Sequence, residues 1–254
     1  MPQKFISDSV LKQIRKLPNY STCKILDLSC GEGYIISELA KDGCNVTGTH
    51  FKEGDYIIEN KKLIENLHIV EGVDLHTNLP FESESFDLIL MTEVLEHLET
   101  HFTVLREVSR ILKKGGLFIF TSPNAYRLHS RFQFLFTGHH KLIQRRLSWD
   151  LSPTDLYANH INLINFPLTS TILSQGNIEI QHLFITKFKF KHFYIFPLYP
   201  FVLLFSILRL KKHKNIARAN GEKDIEKWMR SFPMLFSEQL AVVSRKKHNA
   251  LRAS

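Results

Sequence analysis

Five short apolar runs, separated by segments long enough to hold a helix, limit this chain to very few architectures. The runs are Lys24 to Ser29, Asn45 to Thr49, Leu67 to Val70, Phe86 to Met91 (FDLILM) and Leu117 to Thr121 (LFIFT). Each has the length and apolar character of a buried strand. Helical periodicity falls between them. Ile35, Ile36, Leu39 and Ala40 mark a stripe over Tyr34 to Lys41, and Phe102, Leu105, Val108, Ile111 and Leu112 mark another from about Phe102, with Gly115-Gly116 as its expected stop. Strands alternating with helices predict a parallel sheet covered on both faces, because parallel neighbours need long crossovers.

After Ser122-Pro123-Asn124 the rhythm changes. A basic, aromatic stretch runs from Tyr126 to about Trp149, and a helix is expected near Leu168 to Ser174, ended at Gly176-Asn177. IEIQHLFIT (Ile178 to Thr186) and LAVVSRK (Leu240 to Lys246) read as two further strands. With 254 residues, 44% of them hydrophobic, the chain can bury a full core as one domain carrying an insertion. Cys23, Cys30 and Cys44 form neither a CxxC pair nor a zinc spacing, so no disulfide framework and no metal site is predicted. The opening MPQKFISDSVLKQIRKL lacks the pattern of a secretory signal, and the expected location is cytoplasmic. Charge is unevenly spread. Up to Tyr126 there are 13 Lys and Arg against 18 Asp and Glu, and beyond it 20 against 7. A basic second half fits a solvated face, a polyanion or an anionic membrane surface.

The chemistry concentrates in KILDLSCGEGYI (Lys24 to Ile35), a strand, a glycine turn and a helix start. Glycine there permits positive φ and close approach of a ligand to the backbone, while the first helical turn offers unpaired N–H groups. A phosphate loop would need Gly-Lys-Ser/Thr, which is absent, and a dinucleotide fingerprint would need a third glycine where Ile36 stands.

DLSCGEG resembles the DxGxGxG-type motif of class I S-adenosylmethionine-dependent methyltransferases. Further marks follow in order: VEGVDLHTNLPFESESFDLILMTEVLEHL (Val70 to Leu98), LREVSRILKKGGLFIFTSPN (Leu105 to Asn124), and a histidine-led tail from His160 to Ile180. The resemblance implies a Rossmann-like, mostly parallel seven-stranded α/β sheet with helices on both faces and the final strand antiparallel. It implies a domain over 1–186 and 236–254, with 187–235 as an insertion. It also implies S-adenosylmethionine as cofactor, held by Asp27, Ser29, Cys30, Gly31 and Gly33 at the methionine end. Asp74 would take the adenine amino group with Leu75 beside the ring, and Thr92 would face the methionine portion. At the end of the second strand the family has an acid for the ribose hydroxyls, but this chain has His50, and a neutral imidazole accepts fewer hydrogen bonds than a carboxylate. Glu53 or Asp55 from the next turn is a substitute. Ser29 departs from the family's glycine at the cost of backbone freedom.

Methyl transfer to a hydroxyl needs alignment and a base. Among His97, the pair His139-His140 and His160, the last is the expected base, with Asn124 expected in the acceptor pocket. Outside these motifs, KFKFKHFYIFPLYPFVLLFSILRLKKHK holds an uncharged stretch from Phe193 to Leu208 between basic flanks. Fully helical, it reaches only about 24 Å, short of the roughly 30 Å hydrocarbon core. An element lying at the membrane interface is therefore expected over about 187–214. The resulting expectation is an enzyme on the inner face of a membrane acting on a membrane-delivered small molecule. RFQFLFTG and the closing SEQLAVVSRK resemble methyltransferases encoded with cell-surface polysaccharide machinery, which implies O-methylation of a lipid-linked glycan. A quinone or other isoprenoid-lipid acceptor, an RNA acceptor (disfavoured), and a non-catalytic binding protein are the rivals.

Overall fold

The computed structural model describes residues 2–51, 67–140, 159–188, 194, 196, 197, 199–212 and 221–248. Helix α1 (Pro2–Ile14) leads into β1 (Lys24–Asp27), α2 (Tyr34–Lys41), β2 (Asn45–Thr49), β3 (Leu67–Val70) and β4 (Phe86–Thr92). Next come α3 (Phe102–Ile111), β5 (Leu112–Pro123), α4 (Leu128–Thr137), α5 (Phe166–Gln175) and β6 (Ile178–Leu183). The chain closes with α6 (Tyr199–Lys212), α7 (Gly221–Met229), α8 (Phe232–Phe236) and β7 (Gln239–Lys246).

The seven strands form one sheet in the order β3-β2-β1-β4-β5-β7-β6. The five strands from β3 to β5 are parallel, and β7 runs antiparallel to both β5 and β6. This is the expected Rossmann-like architecture. Successive residues of each strand bury on opposite faces. Leu26, Ile89, Phe118 and Phe120 pack with Leu105, Val108, Ile111, Phe166 and Leu173 on the α3 and α5 side. Ile25, Leu88, Leu90 and Ile119 pack with Val10, Ile14, Ile36 and Leu39 on the α1 and α2 side. Strand order reverses between β1 and β4, so a crevice opens beyond their carboxyl ends, where ligands of such sheets bind.

Some boundaries differ from the expected ones. The third helix ends at Ile111, and the strand after it begins at Leu112 rather than Leu117. The cause is a distant lysine: the buried Lys246 Nζ donates to the carbonyls of Ser109 and Leu112 at 2.8 and 2.7 Å, satisfying helix-end acceptors that would otherwise lack partners. Lys113 then pairs with Asp87 across β4 at 2.8 Å. Helix α5 starts at Phe166 because Asn165 caps it, accepting from the Leu168 N–H.

The connection between β6 and β7 leaves and rejoins the sheet at one place. Thr186 Oγ1 donates to Gln239 Oε1 at 3.0 Å, and the Glu238 N–H donates to the Lys187 carbonyl at 3.1 Å. Within it, Tyr199 and Val202 of α6 pack against Leu128, Leu235 and Phe236. Phe201, Leu204, Phe205 and Leu208 remain half or more exposed, at helical spacing on one face. No helix among the described residues is long and apolar enough to cross a membrane.

Candidate functional site

Strand β1 stops at Asp27 because the next turn needs left-handed backbone. Ser29 has φ 63°, Gly31 φ 55° and Gly33 φ 74°. For Ser29 that conformation costs about 1–2 kcal/mol, and a hydrogen bond from its N–H to Thr49 Oγ1 at 2.9 Å helps hold it. The Cys30 N–H reaches the Thr49 carbonyl at 3.0 Å, and the Gly33 N–H closes the turn on the Cys30 carbonyl at 2.9 Å. A Cβ added to Gly31 would meet no protein atom within 4 Å, so the space beside it is open. Gly33, as the N-cap of α2, shapes the turn from behind.

Two cavities flank this turn. The smaller, about 160 Å³, is lined by Lys4, Ser7, Asp27, Cys30, Glu32 and Tyr34 among others. The larger, about 380 Å³, is lined by Thr49, Phe51, Val73, Asp74, Leu75 and His76, and on its far wall by Glu93, Val94, His97 and Leu98. Ser29, Gly31 and Thr92 line both, so the two are halves of one cleft.

Asp27 is 2% exposed and its Oδ1 has no hydrogen-bond partner among the described residues. Burial alone lifts its carboxyl to about 7. Burial likewise pushes the Cys30 thiol up to about 12, which keeps it uncharged. Asp74 Oδ1 accepts from the His76 N–H at 2.9 Å and meets the His76 ring Nδ1 at 3.0 Å. His50 follows β2, its N–H bonded to the Val70 carbonyl and its carbonyl taking the Val73 N–H. The cleft wall there is formed by its neighbours Thr49 and Phe51. Glu53 and Asp55 lie outside the described residues.

The far wall carries a dense ionisable cluster. Glu93 takes a left-handed φ of 56° and Glu96 is 1% exposed. Each has one carboxylate oxygen without a hydrogen-bond partner. Burial raises both carboxyls, Glu93 to about 7 against the pull of its bonds to Thr121 and Gln239, and Glu96 further because Glu93 stands beside it. His97 packs edge-on against His160 with ring centres 5.0 Å apart.

His160 thus stands beside the cleft, touching it through His97. Asn124 does something other than expected. It is fully buried, its side-chain N–H groups donate to the carbonyls of Met234 and Ser237 at 2.8 and 3.0 Å, and its Oδ1 accepts from the Tyr126 N–H. With both amide hydrogens committed to tying α8 to β5, it has none to give an acceptor. His139 and His140 sit beyond α4, where His140 stacks on Phe134.

Residues 26–120 match the family model described as a methyltransferase domain. Over that segment, less than half of the chain, the sequence is similar to a methyltransferase domain. The chain is 33% identical over 112 residues to a demethylmenaquinone methyltransferase of Lactococcus lactis, covering 41% of this chain and 44% of that protein. It is 28% identical over 119 residues to a ubiquinone biosynthesis O-methyltransferase of Hydrogenovibrio crunogenus, covering 45% and 47%. The alignments thus span less than half the length of these relatives. The fold as a whole is similar to an S-adenosylmethionine-dependent methyltransferase structure from Mesorhizobium loti, with TM-score 0.51 and 16% identity, covering 93% of this chain and 96% of that one.

S-adenosylmethionine fits this cleft. Asp27 and Glu32 oppose Lys4 in the smaller half, both signs that a zwitterionic amino-acid arm requires. Asp74 stands among Val73, Leu75 and Phe51 in the larger half, an acceptor set in apolar walls as a purine requires. Of the residues expected from sequence, Asp27, Ser29, Cys30, Gly31, Asp74, Leu75 and Thr92 all line the cleft. Lys4, Ser7, Phe51, His76 and Glu93 were not anticipated. Lys4 and Ser7 were discoverable, since Ile6, Val10, Leu11 and Ile14 repeat at helical spacing and would have flagged α1.

Proposed function

We propose that this chain transfers a methyl group from S-adenosylmethionine to an oxygen of a membrane-delivered acceptor. The single observation that carries the reading is the two-part cleft, charged at one end, apolar and acidic at the other, joined at Ser29, Gly31 and Thr92. When bound, the cofactor supplies a sulfonium-activated methyl. The protein's part is then to hold the donor arm with Lys4 and Asp27, to seat the base against Leu75 and Asp74, and to remove the acceptor's proton. His97 is the residue of the far wall placed to take that proton, with His160 behind it.

The acceptor side rests on the helical stripe of Phe201, Leu204, Phe205 and Leu208. At 14 residues α6 is about 21 Å long. It is anchored on one face by Tyr199 and Val202 and bare on the other, an arrangement suited to lying in the headgroup boundary of an anionic membrane. Arg209, Lys211 and Lys212 follow the stripe in sequence, and each near-surface cation adds about 1 kcal/mol to such binding. In this reading the enzyme is cytoplasmic and peripheral on the inner membrane face, and 187–235 is its membrane-seeking insertion. A lipid-linked glycan fits this delivery. A prenylated quinone fits it too and is favoured by the names of the relatives.

Calorimetry with S-adenosylmethionine tests the donor half, with micromolar binding expected. Absence of binding would leave a non-catalytic binding protein. Flotation with anionic liposomes tests the acceptor half: wild type should float, and a Phe201→Ser/Phe205→Ser variant should not. Flotation that survives this change would remove the membrane assignment.

A further inference from the structure

Beside the donor cleft, Glu96, His97 and His160 bring one carboxylate and two imidazoles together, with donor atoms all within 4.8 Å of one another. We propose that these three side chains bind a divalent cation of the zinc class on the acceptor wall of the cleft.

Glu96 is the strongest part of the case. Its side chain is almost wholly buried, Oε2 accepts from Ser122 Oγ at 3.0 Å, and Oε1 has no hydrogen-bond partner among the described residues. A buried carboxylate oxygen left in that state is costly unless a cation or a donor meets it. Oε1 lies 4.0 Å from His97 Nε2. The other nitrogen of that ring, Nδ1, sits 3.0 Å from the Asn159 carbonyl. A carbonyl only accepts, so Nδ1 carries the proton and Nε2 presents its lone pair, the orientation that metal-binding histidines adopt.

His160 is held in place by the same turn. The N–H groups of Ile161 and Asn162 both donate to the Glu96 carbonyl at 3.0 Å, and the Asn162 side chain donates to the Leu98 carbonyl at 3.3 Å. The segment carrying the second imidazole is thus bonded to the segment carrying the other two ligands. In a tetrahedral zinc site donors stand about 3.3 Å apart, given bonds near 2.0–2.1 Å. The present separations, up to 4.8 Å, are wider than this, so binding would draw the three side chains together. Two nitrogens and one carboxylate oxygen suit Zn2+, Co2+ or Mn2+ better than Mg2+, which prefers oxygen ligands and its own waters.

Three protein ligands leave at least one position open. Since His97 lines the larger half of the cleft, that position faces the place where an acceptor would lie. With metal bound, His97 and His160 are ligands and no longer the base, and a hydroxyl coordinated there would instead lose its proton to solvent at lower pH, as metal-bound water does. This last consequence rests on the methyl-transfer reading. The metal site itself does not.

The test uses the full chain without an affinity tag, stripped with chelator and titrated with Co2+ while its visible absorption is followed, then with Zn2+ in competition. One equivalent is expected. His160→Ala and Glu96→Gln should each weaken binding at least 10-fold, while His139→Ala leaves it unchanged. Circular dichroism establishes folding, and should Glu96→Gln not fold, the less buried His160 position decides. S-adenosylmethionine affinity, measured by calorimetry on metal-free protein and on His160→Ala, reports the donor cleft separately, so loss of one site is not mistaken for loss of the other. No saturable uptake by wild type, or uptake unaffected by His160→Ala, overturns the assignment.

Discussion

The buried carboxyl of Asp27 makes cofactor binding a proton-linked event. With its pKa raised to about 7 by burial, it is largely protonated below neutrality. A cationic ligand at its Oδ1 favours the ionised form, so binding expels the proton. If the complexed carboxyl titrates well below 6, release is about 0.9 proton at pH 6, about 0.5 at pH 7 and about 0.1 at pH 8. Affinity then rises close to tenfold per unit up to about pH 7 and levels off above it. Calorimetry of S-adenosylmethionine binding in buffers of different ionisation enthalpy measures the released proton directly. Asp27→Asn should abolish both the release and the pH dependence, and weaken binding at pH 8 by about 1.5–3 kcal/mol, roughly 10- to 150-fold. The free protein responds with the opposite sign. From about pH 4 to 7 the folded chain keeps a proton that the unfolded chain has lost, so its stability falls as pH rises through that window, by on the order of 4 kcal/mol in total. Equal binding enthalpies in all buffers at pH 6 would refute the argument, because they would mean that Asp27 does not change protonation when the cleft fills.

Two further outcomes test the supporting structure. Asn124→Ala removes three hydrogen bonds between β5, its following turn and the segment around α8. It should cost about 1–3 kcal/mol in chemical denaturation with S-adenosylmethionine affinity unchanged, and a loss of affinity at intact stability would return Asn124 to the site. Gly48→Ala would place a Cβ 2.8 Å from Ile36 Cδ1 and 2.9 Å from Cys30 Sγ. Overpacking of about 1–3 kcal/mol is expected, together with weaker cofactor binding as Cys30 shifts the turn. A fully stable, tightly binding variant would show that this approach has slack.

The sheet was readable because its evidence is local. Apolar runs such as FDLILM have few alternatives, and Ile25 and Leu26 or Leu88 and Ile89 divide between the two faces by strict alternation. The cleft was readable where residues sit on or next to those strands, as Asp27, Asp74 and Thr92 do. What escaped depends on partners far along the chain. Nothing near Ile111 signals the end of α3, since the ammonium that satisfies its carbonyls comes from Lys246. Asn124 follows a strand end, as an acceptor residue would, yet Met234 and Ser237 claim its amide. Glu93 and Glu96 gave no warning in EVLEH, because the burial that perturbs them comes from the sheet and from the segment at Asn159 to Asn162.

The paired bonds of Thr186 with Gln239 and of Glu238 with Lys187 cinch the β6–β7 excursion at its base, where neighbouring strands already lie side by side. The part of the excursion before α8 hangs from that knot, whereas α8 itself is bound into the sheet through Asn124 and Met234. On the proposed reading that this excursion delivers the acceptor, a chimera that exchanges the chain between Lys187 and Ser231 and keeps α8 is the natural way to re-aim its substrate range.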